Sequence, residues 1–130
     1  LNAKLHLTEE ARVLARELLR RHEQTCHSLG VHKPEEVTDT MVNRSTVFYG
    51  TLCDRAGVPF LTHSVGRYLG EIAKWCYENR WPPLNSLAVN SESKMPGHGY
   101  DEAAGSSLLQ WPDEVRQCIS FDGYPASASI

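Results

Sequence analysis

Between Thr8 and Leu29, apolar or part-apolar positions return every three or four residues: Ala11, Leu14, Ala15, Leu18, His22, Thr25 with Cys26, and Leu29. That period places one stripe on an α-helix. Thr8 can cap the helix, and Glu9 and Glu10 put negative charge on its first turn, where the peptide dipoles favour it. Arg12, Arg16, Arg20, Arg21 and Glu23 fall on the remaining surface, and Gly30 is a natural stop.

Residues 31–44 are patterned more weakly. Pro34 can open a short helix, and Val37, Met41 and Val42 fit one face loosely. Thr46-Val47-Phe48 is β-prone. Tyr49 to Ala56 then reads as a short helix with Leu52, Cys53 and Ala56 facing inward, ended by Gly57 and a Val58-Pro59 turn. Thr62 is placed to cap a second helix that lasts to about Asn79. Its stripe is Val65, Leu69, Ile72, Ala73 and Cys76, and its polar face carries His63, Ser64, Arg67, Glu71, Lys74 and Glu78. Gly66 and Gly70 each cost ~1 kcal/mol in a helix relative to Ala, which predicts a packing reason such as close approach of another backbone. Trp81-Pro82-Pro83 breaks the helix. Leu84 to Asn90 alternates like a strand, Ser91 to Lys94 is turn-like, and residues 95–100 are irregular. Residues 101–119 read as partly helical, with Pro112 in the first turn of a short helix that buries Val115, Cys118 and Ile119. Residues 121–130, rich in small side chains, are expected to be loose.

The order helix, turn, helix and hairpin-like piece predicts a mainly α (α+β) fold: a winged helix-turn-helix with an N-terminal helical extension and a small β-wing. The expected division is an extension over 1–44, a winged-helix-like core over 45–100, a helical segment over 101–120 and a tail over 121–130.

Composition changes this picture in one respect. With 41% hydrophobic residues the chain can bury a core, but its net charge is −3. That balance argues against indiscriminate polyanion binding and leaves a protein partner as an alternative to DNA. No apolar run reaches the ~18 residues that span a membrane, and Leu1 to Leu7 lacks the apolar core of a signal peptide, so a cytoplasmic location is expected. Cys26, Cys53, Cys76 and Cys118 are widely spaced without a C-x-x-C pair, and read as buried free thiols.

The central run T-V-F-Y-G-T-L-C-D-R-A-G-V-P followed by H-S-V-G-R-Y-L-G resembles the winged-helix DNA-binding segment of the O6-alkylguanine-DNA alkyltransferases and the alkyltransferase-like proteins, over Ser45 to Gly70. The resemblance implies a DNA-binding fold and sets Tyr49 near a nucleotide phosphate. Two departures matter. His63 stands where that family has an arginine that enters the base stack, which argues against base flipping. Where the family has a Pro-Cys-His-Arg motif whose cysteine accepts the alkyl group, this chain has Trp81-Pro82-Pro83-Leu84-Asn85-Ser86. Alkyl transfer needs an activated thiolate there, so the resemblance does not imply an enzyme. The later stretch P-P-L-N-S-L-A-V-N-S-E-S-K-M-P-G-H-G-Y resembles a domain of unknown role in bacterial and phage proteins, some of which also carry an HNH nuclease domain. No HNH metal-finger sequence is present here.

The candidate DNA-contacting residues are therefore Thr62, His63, Ser64 and Arg67 at the start of the second helix, Tyr49 against backbone phosphate, Lys94 on the wing, and Lys74. In the adaptor alternative, Tyr68, Trp75 and Tyr77 would anchor a protein partner. The remaining chemistry is thin. His22, Cys26, His27 and His32 are crowded, but adjacent Cys26 and His27 splay around the helix and no second ligand pair follows, so no metal is expected. A Ser64/His63/Asp54 triad lacks a nucleophile elbow. Gly97-His98-Gly99 lacks the Gly-Lys-Ser/Thr of a phosphate loop, and His98 reads as a loop histidine. Trp75, Trp81 and Trp111 read as core or interface residues rather than stacking platforms. Neither a cofactor nor a catalytic residue is expected.

Overall fold

The computed structural model describes residues 7–130; the first six residues of the predicted extension lie outside that range. The protein is mainly helical. Its elements are α1 (Glu9–Arg21), α2 (Asp39–Ser45), β1 (Val47–Phe48), α3 (Tyr49–Arg55), α4 (Val65–Glu78), β2 (Ala88–Val89) and α5 (Trp111–Ser120), linked by several 3-10 turns. Among the described residues, no helix is long and apolar enough to cross a membrane.

The first helix starts as its sequence requires: the Thr8 hydroxyl accepts the Ala11 N–H at 3.3 Å. Beyond Arg21 the chain stays helical through a wider π turn, His22–Cys26, and a 3-10 turn, His27–Leu29, until Gly30 closes it at φ 67°. Thr25 donates its hydroxyl to the Arg21 carbonyl at 2.6 Å. His22 and Cys26, four residues apart, both lie on the buried face.

The apolar stripe of α1 packs against that of α4, the 3-10 turn Leu84–Leu87 contacts both, and α5 packs on that turn. Leu14, Leu18, Ile72, Leu84, Leu87 and Val115 are fully buried, each stabilising the fold by roughly 1.5–3 kcal/mol relative to exposure. All four cysteines are buried free thiols. Trp111 is also internal, with its indole N–H donating to the Ser86 carbonyl at 3.0 Å.

Four expectations are corrected. First, residues 84–90 do not form a long strand, and no antiparallel β-wing forms among the described residues. Leu84–Leu87 is a 3-10 turn, and every residue from Leu84 to Val89 is buried, so no face alternates with solvent. Only Ala88–Val89 is extended, and it pairs in parallel with β1, Val47 opposite Ala88 and Phe48 opposite Val89. In place of the wing is a loop in which the Asn90 N–H donates to the Met95 carbonyl at 2.8 Å.

Second, Thr62 does not cap α4. Pro59 opens a 3-10 turn, Pro59–Ser64, in which Thr62 donates back to the Pro59 carbonyl at 2.9 Å, and Ser64 takes the cap position without a side-chain bond. Third, Gly66 and Gly70 receive no backbone neighbour: a Cβ at either would meet nothing within 4 Å.

Fourth, the C-terminal segment is tied down by polar contacts rather than loose. Ser127 donates its N–H and hydroxyl to the Glu23 carboxylate, both at 2.7 Å. Arg16 donates to the Ile130 carbonyl at 2.7 and 3.0 Å, and the Tyr124 hydroxyl donates to the Pro82 carbonyl at 2.5 Å. The Tyr124 ring meets His22, Trp81 and Phe121 edge-on at 4.8–5.8 Å, an arrangement that aromatic quadrupoles favour.

Candidate nucleic-acid interface

The junction of α3 with α4 opens into a cleft of about 340 Å³. Tyr49, the first residue of α3, forms one wall. Thr62 and His63 come from the Pro59–Ser64 turn, Gly66 and Gly70 from the side of α4, and Asn85 from the segment after the Pro82-Pro83 break. The far wall is Gly97, Gly99 and Tyr100. Gly66 and Gly70 thus keep a cleft open rather than admit a neighbouring backbone.

Polar groups in this cleft are held in place. The Gly97 N–H donates to the Tyr49 phenol oxygen at 2.7 Å, which leaves the phenol hydrogen free to donate. Burial raises the Tyr49 pKa above its usual 10, so the ring enters any chemistry at neutral pH as a neutral donor. Tyr100 is 6% exposed and its hydroxyl donates to Glu114 at 2.6 Å, with burial again pushing its pKa up. Asn85 is 2% exposed and donates its amide to Ser106 at 3.3 Å, while its Oδ1 has no hydrogen-bond partner within the described chain. A buried acceptor without a donor costs about 1–3 kcal/mol.

The seven residues singled out from sequence do not all gather here. Tyr49, Thr62 and His63 line the cleft. Ser64 and Arg67 lie beside it on the exposed start of α4, Ser64 bonded to the Leu61 carbonyl at 3.3 Å and Arg67 5.7 Å from the centre of the Tyr68 ring. Lys74 lies further along α4, in a groove it shares with Glu71 and Glu78, whose charges offset its own. Lys94 lines a different cleft, of about 480 Å³, with its ammonium 4.5 Å above the Phe48 ring.

Sequence reasoning missed Asn85 and Tyr100, and it also missed Arg21 and Arg55, which join Lys94 in the second cleft. The break at Pro82-Pro83 and the Gly97-His98-Gly99 run marked where Asn85 and Tyr100 would be presented. No local pattern pairs Arg21 with Arg55.

The remaining titratable clusters are inert. His22 presents Nε2 to the Cys118 carbonyl at 2.8 Å, and burial lowers its pKa. Burial also pushes up every thiol, Cys76 to about 12. The described residues hold no group of three or more His, Cys, Asp or Glu arranged for a metal ion. The segment that follows the Pro82-Pro83 break contributes Asn85 to the cleft and no thiol. No family model, no curated protein and no solved structure matches this chain.

Proposed function

We propose that the chain is a non-catalytic DNA-binding module, a variant of the winged helix-turn-helix in which α3 and α4 are the helix pair and the Asn90–Met95 loop takes the place of a wing. The observation that carries this reading is the convergence of Tyr49, Thr62 and His63 on one cleft beside the exposed Ser64 and Arg67. The turn before α4 offers the His63 imidazole, and Arg67 offers a cation to a phosphate. Thr62, His63 and Ser64 would contact DNA from the 3-10 turn, not from the first turn of the recognition helix.

A low-salt titration of a labelled duplex, followed by fluorescence anisotropy, tests the proposal. Arg67→Glu should weaken binding while leaving the melting temperature within about 1 °C, since exposed substitutions change stability little. Leu69→Ala, on a core position 7% exposed, is the folding control and should cost about 2–5 kcal/mol. Wild-type chain that binds neither duplex nor single strand at low salt rules the proposal out.

A protein-binding adaptor is the second reading. The exposed Phe60 and Tyr77, 74% and 64% accessible, favour it. Trp75 is not available as an anchor, being 3% exposed and packed edge-on against Trp81 at 5.0 Å.

A further inference from the structure

The second cleft concentrates positive charge on a chain that is negative overall. Arg21, Arg55 and Lys94 line it together with Asn43, Thr46, Thr51 and the exposed Phe48, and no carboxylate is among the lining residues. The full sequence has 13 Lys and Arg against 16 Asp and Glu, so three cations around one opening with no acid in its lining is a local exception. Among the described residues the ion pairs are Arg12–Glu9, Arg20–Glu17 and Arg116–Asp39, and none involves these three cations.

Arg21 is fixed rather than floppy. Its Nε donates to the Ser45 carbonyl at 2.9 Å, and its Nη2 donates to the carbonyls of Arg44 and Thr46 at 3.0 and 2.8 Å. Nη1 makes no hydrogen bond within the described chain. Burial, and next the like charge of Arg55, both lower the Arg21 pKa. Two guanidinium groups thus repel across the cleft; Glu17, paired with Arg20, offsets part of this from outside the lining, and no carboxylate lines the opening itself. Lys94 is held over Phe48 with its ammonium donating to the Ser91 carbonyl at 2.5 Å. A phosphate would find the free Nη1 of an oriented guanidinium, two further cations, two threonine hydroxyls and an asparagine amide, with an aromatic wall for a sugar or base.

We infer that the Arg21–Arg55–Lys94 cleft binds a phosphate group, and that its source is the backbone of a nucleic acid strand that also runs past Tyr49. The choice of source rests on the DNA reading above, whereas the phosphate chemistry does not. The geometry joining the two sites is the strand pair itself. Phe48 and Val89 line the basic cleft, while the adjoining Tyr49 and Ala88 line the other, so the two openings share one thin partition.

The test combines two titrations of the full chain. In the first, a labelled duplex and a labelled single strand are titrated over a range of salt with wild type, with Arg55→Glu/Lys94→Glu and with Arg55→Gln/Lys94→Gln, the fold of each variant being checked by melting. In the second, inorganic phosphate is titrated while backbone amide NMR shifts are followed. The charge-reversed variant should lose about tenfold or more in affinity, and its plot of log K against log salt should flatten by about one to two. The glutamine variant should lose less, and phosphate alone should move the amides of Thr46, Thr51 and Arg55. If wild type binds DNA but both variants match it in affinity and slope, the basic cleft is overturned and the DNA reading stands. If DNA does not bind but phosphate shifts those amides, the phosphate site stands with a free phosphate as its source, and the DNA reading falls. If neither DNA nor phosphate acts, both are overturned.

Discussion

The backbone N–H of Gly97 donates to the phenol oxygen of Tyr49 at 2.7 Å, tying the loop after β2 to the first residue of α3. Tyr49→Phe keeps the ring and removes the acceptor. The variant should lose about 1 kcal/mol of stability in urea denaturation, the usual worth of one such bond, and weaken DNA binding by removing the phenol donor. An unchanged urea midpoint would show that the bond does not hold the loop in solution.

Gly70 lines the Tyr49 cleft within a helix, and an added methyl would meet nothing within 4 Å. Gly70→Ala should therefore raise stability by about 1 kcal/mol through helix propensity alone. It should also narrow the cleft and lower affinity for whatever enters it. Stability and binding moving in opposite directions, by melting and by anisotropy, would identify the glycine as kept for access. A destabilised variant would contradict the open space beside it.

Cys76 on α4 is fully buried, accepting the Leu84 N–H at 3.5 Å, with a pKa pushed up to about 12. At pH 7 such a thiol is held in its protonated, unreactive form. Incubation of the native chain with O6-methylguanine duplex should leave every cysteine at its original mass. A single methyl gained on Cys76 or Cys53 would overturn the non-catalytic reading.

His22 carries a pH dependence whose sign is fixed by burial. Desolvation lowers its folded pKa below the unfolded 6.5, so the unfolded chain takes up the proton first. Stability is then complete above pH 6.5 and falls as pH drops toward the folded pKa, by at most about 1.4 kcal/mol per pH unit. Urea midpoints measured from pH 7.5 down to 5.5 should decline, and His22→Gln, which retains an amide donor toward the Cys118 carbonyl, should flatten that decline. A decline of equal slope in the variant would assign it to another group.

What the sequence could and could not announce divides along physical lines. The stripes of α1 and α4 are legible because one face of each helix meets a core, and Thr8 and Gly30 act through local backbone geometry alone. The Leu84–Val89 segment was misread because a run buried on all sides shows no period from which to choose strand over 3-10 turn. The tail was misread because composition does not record Glu23 waiting a hundred residues earlier for Ser127. The Tyr49 cleft was half visible, through Tyr49, Thr62 and His63. Arg21 and Arg55 were hidden among solvated charges, since their proximity exists only once α1 docks beside α3.

The parallel pairing of β1 with β2 has a kinetic consequence. Strands that run the same way cannot be joined by a tight turn, so residues 49–87, with α3 and α4 inside them, form a crossover that must be in place before Val47 can meet Ala88. The ladder is also only two residues long in each strand, a weak seam closed late at the entropic cost of a long loop. It should exchange its amide hydrogens sooner than the cores of α1 and α4. Because this seam is the partition between the two clefts, its breathing would merge them into one continuous trough before the helices themselves give way.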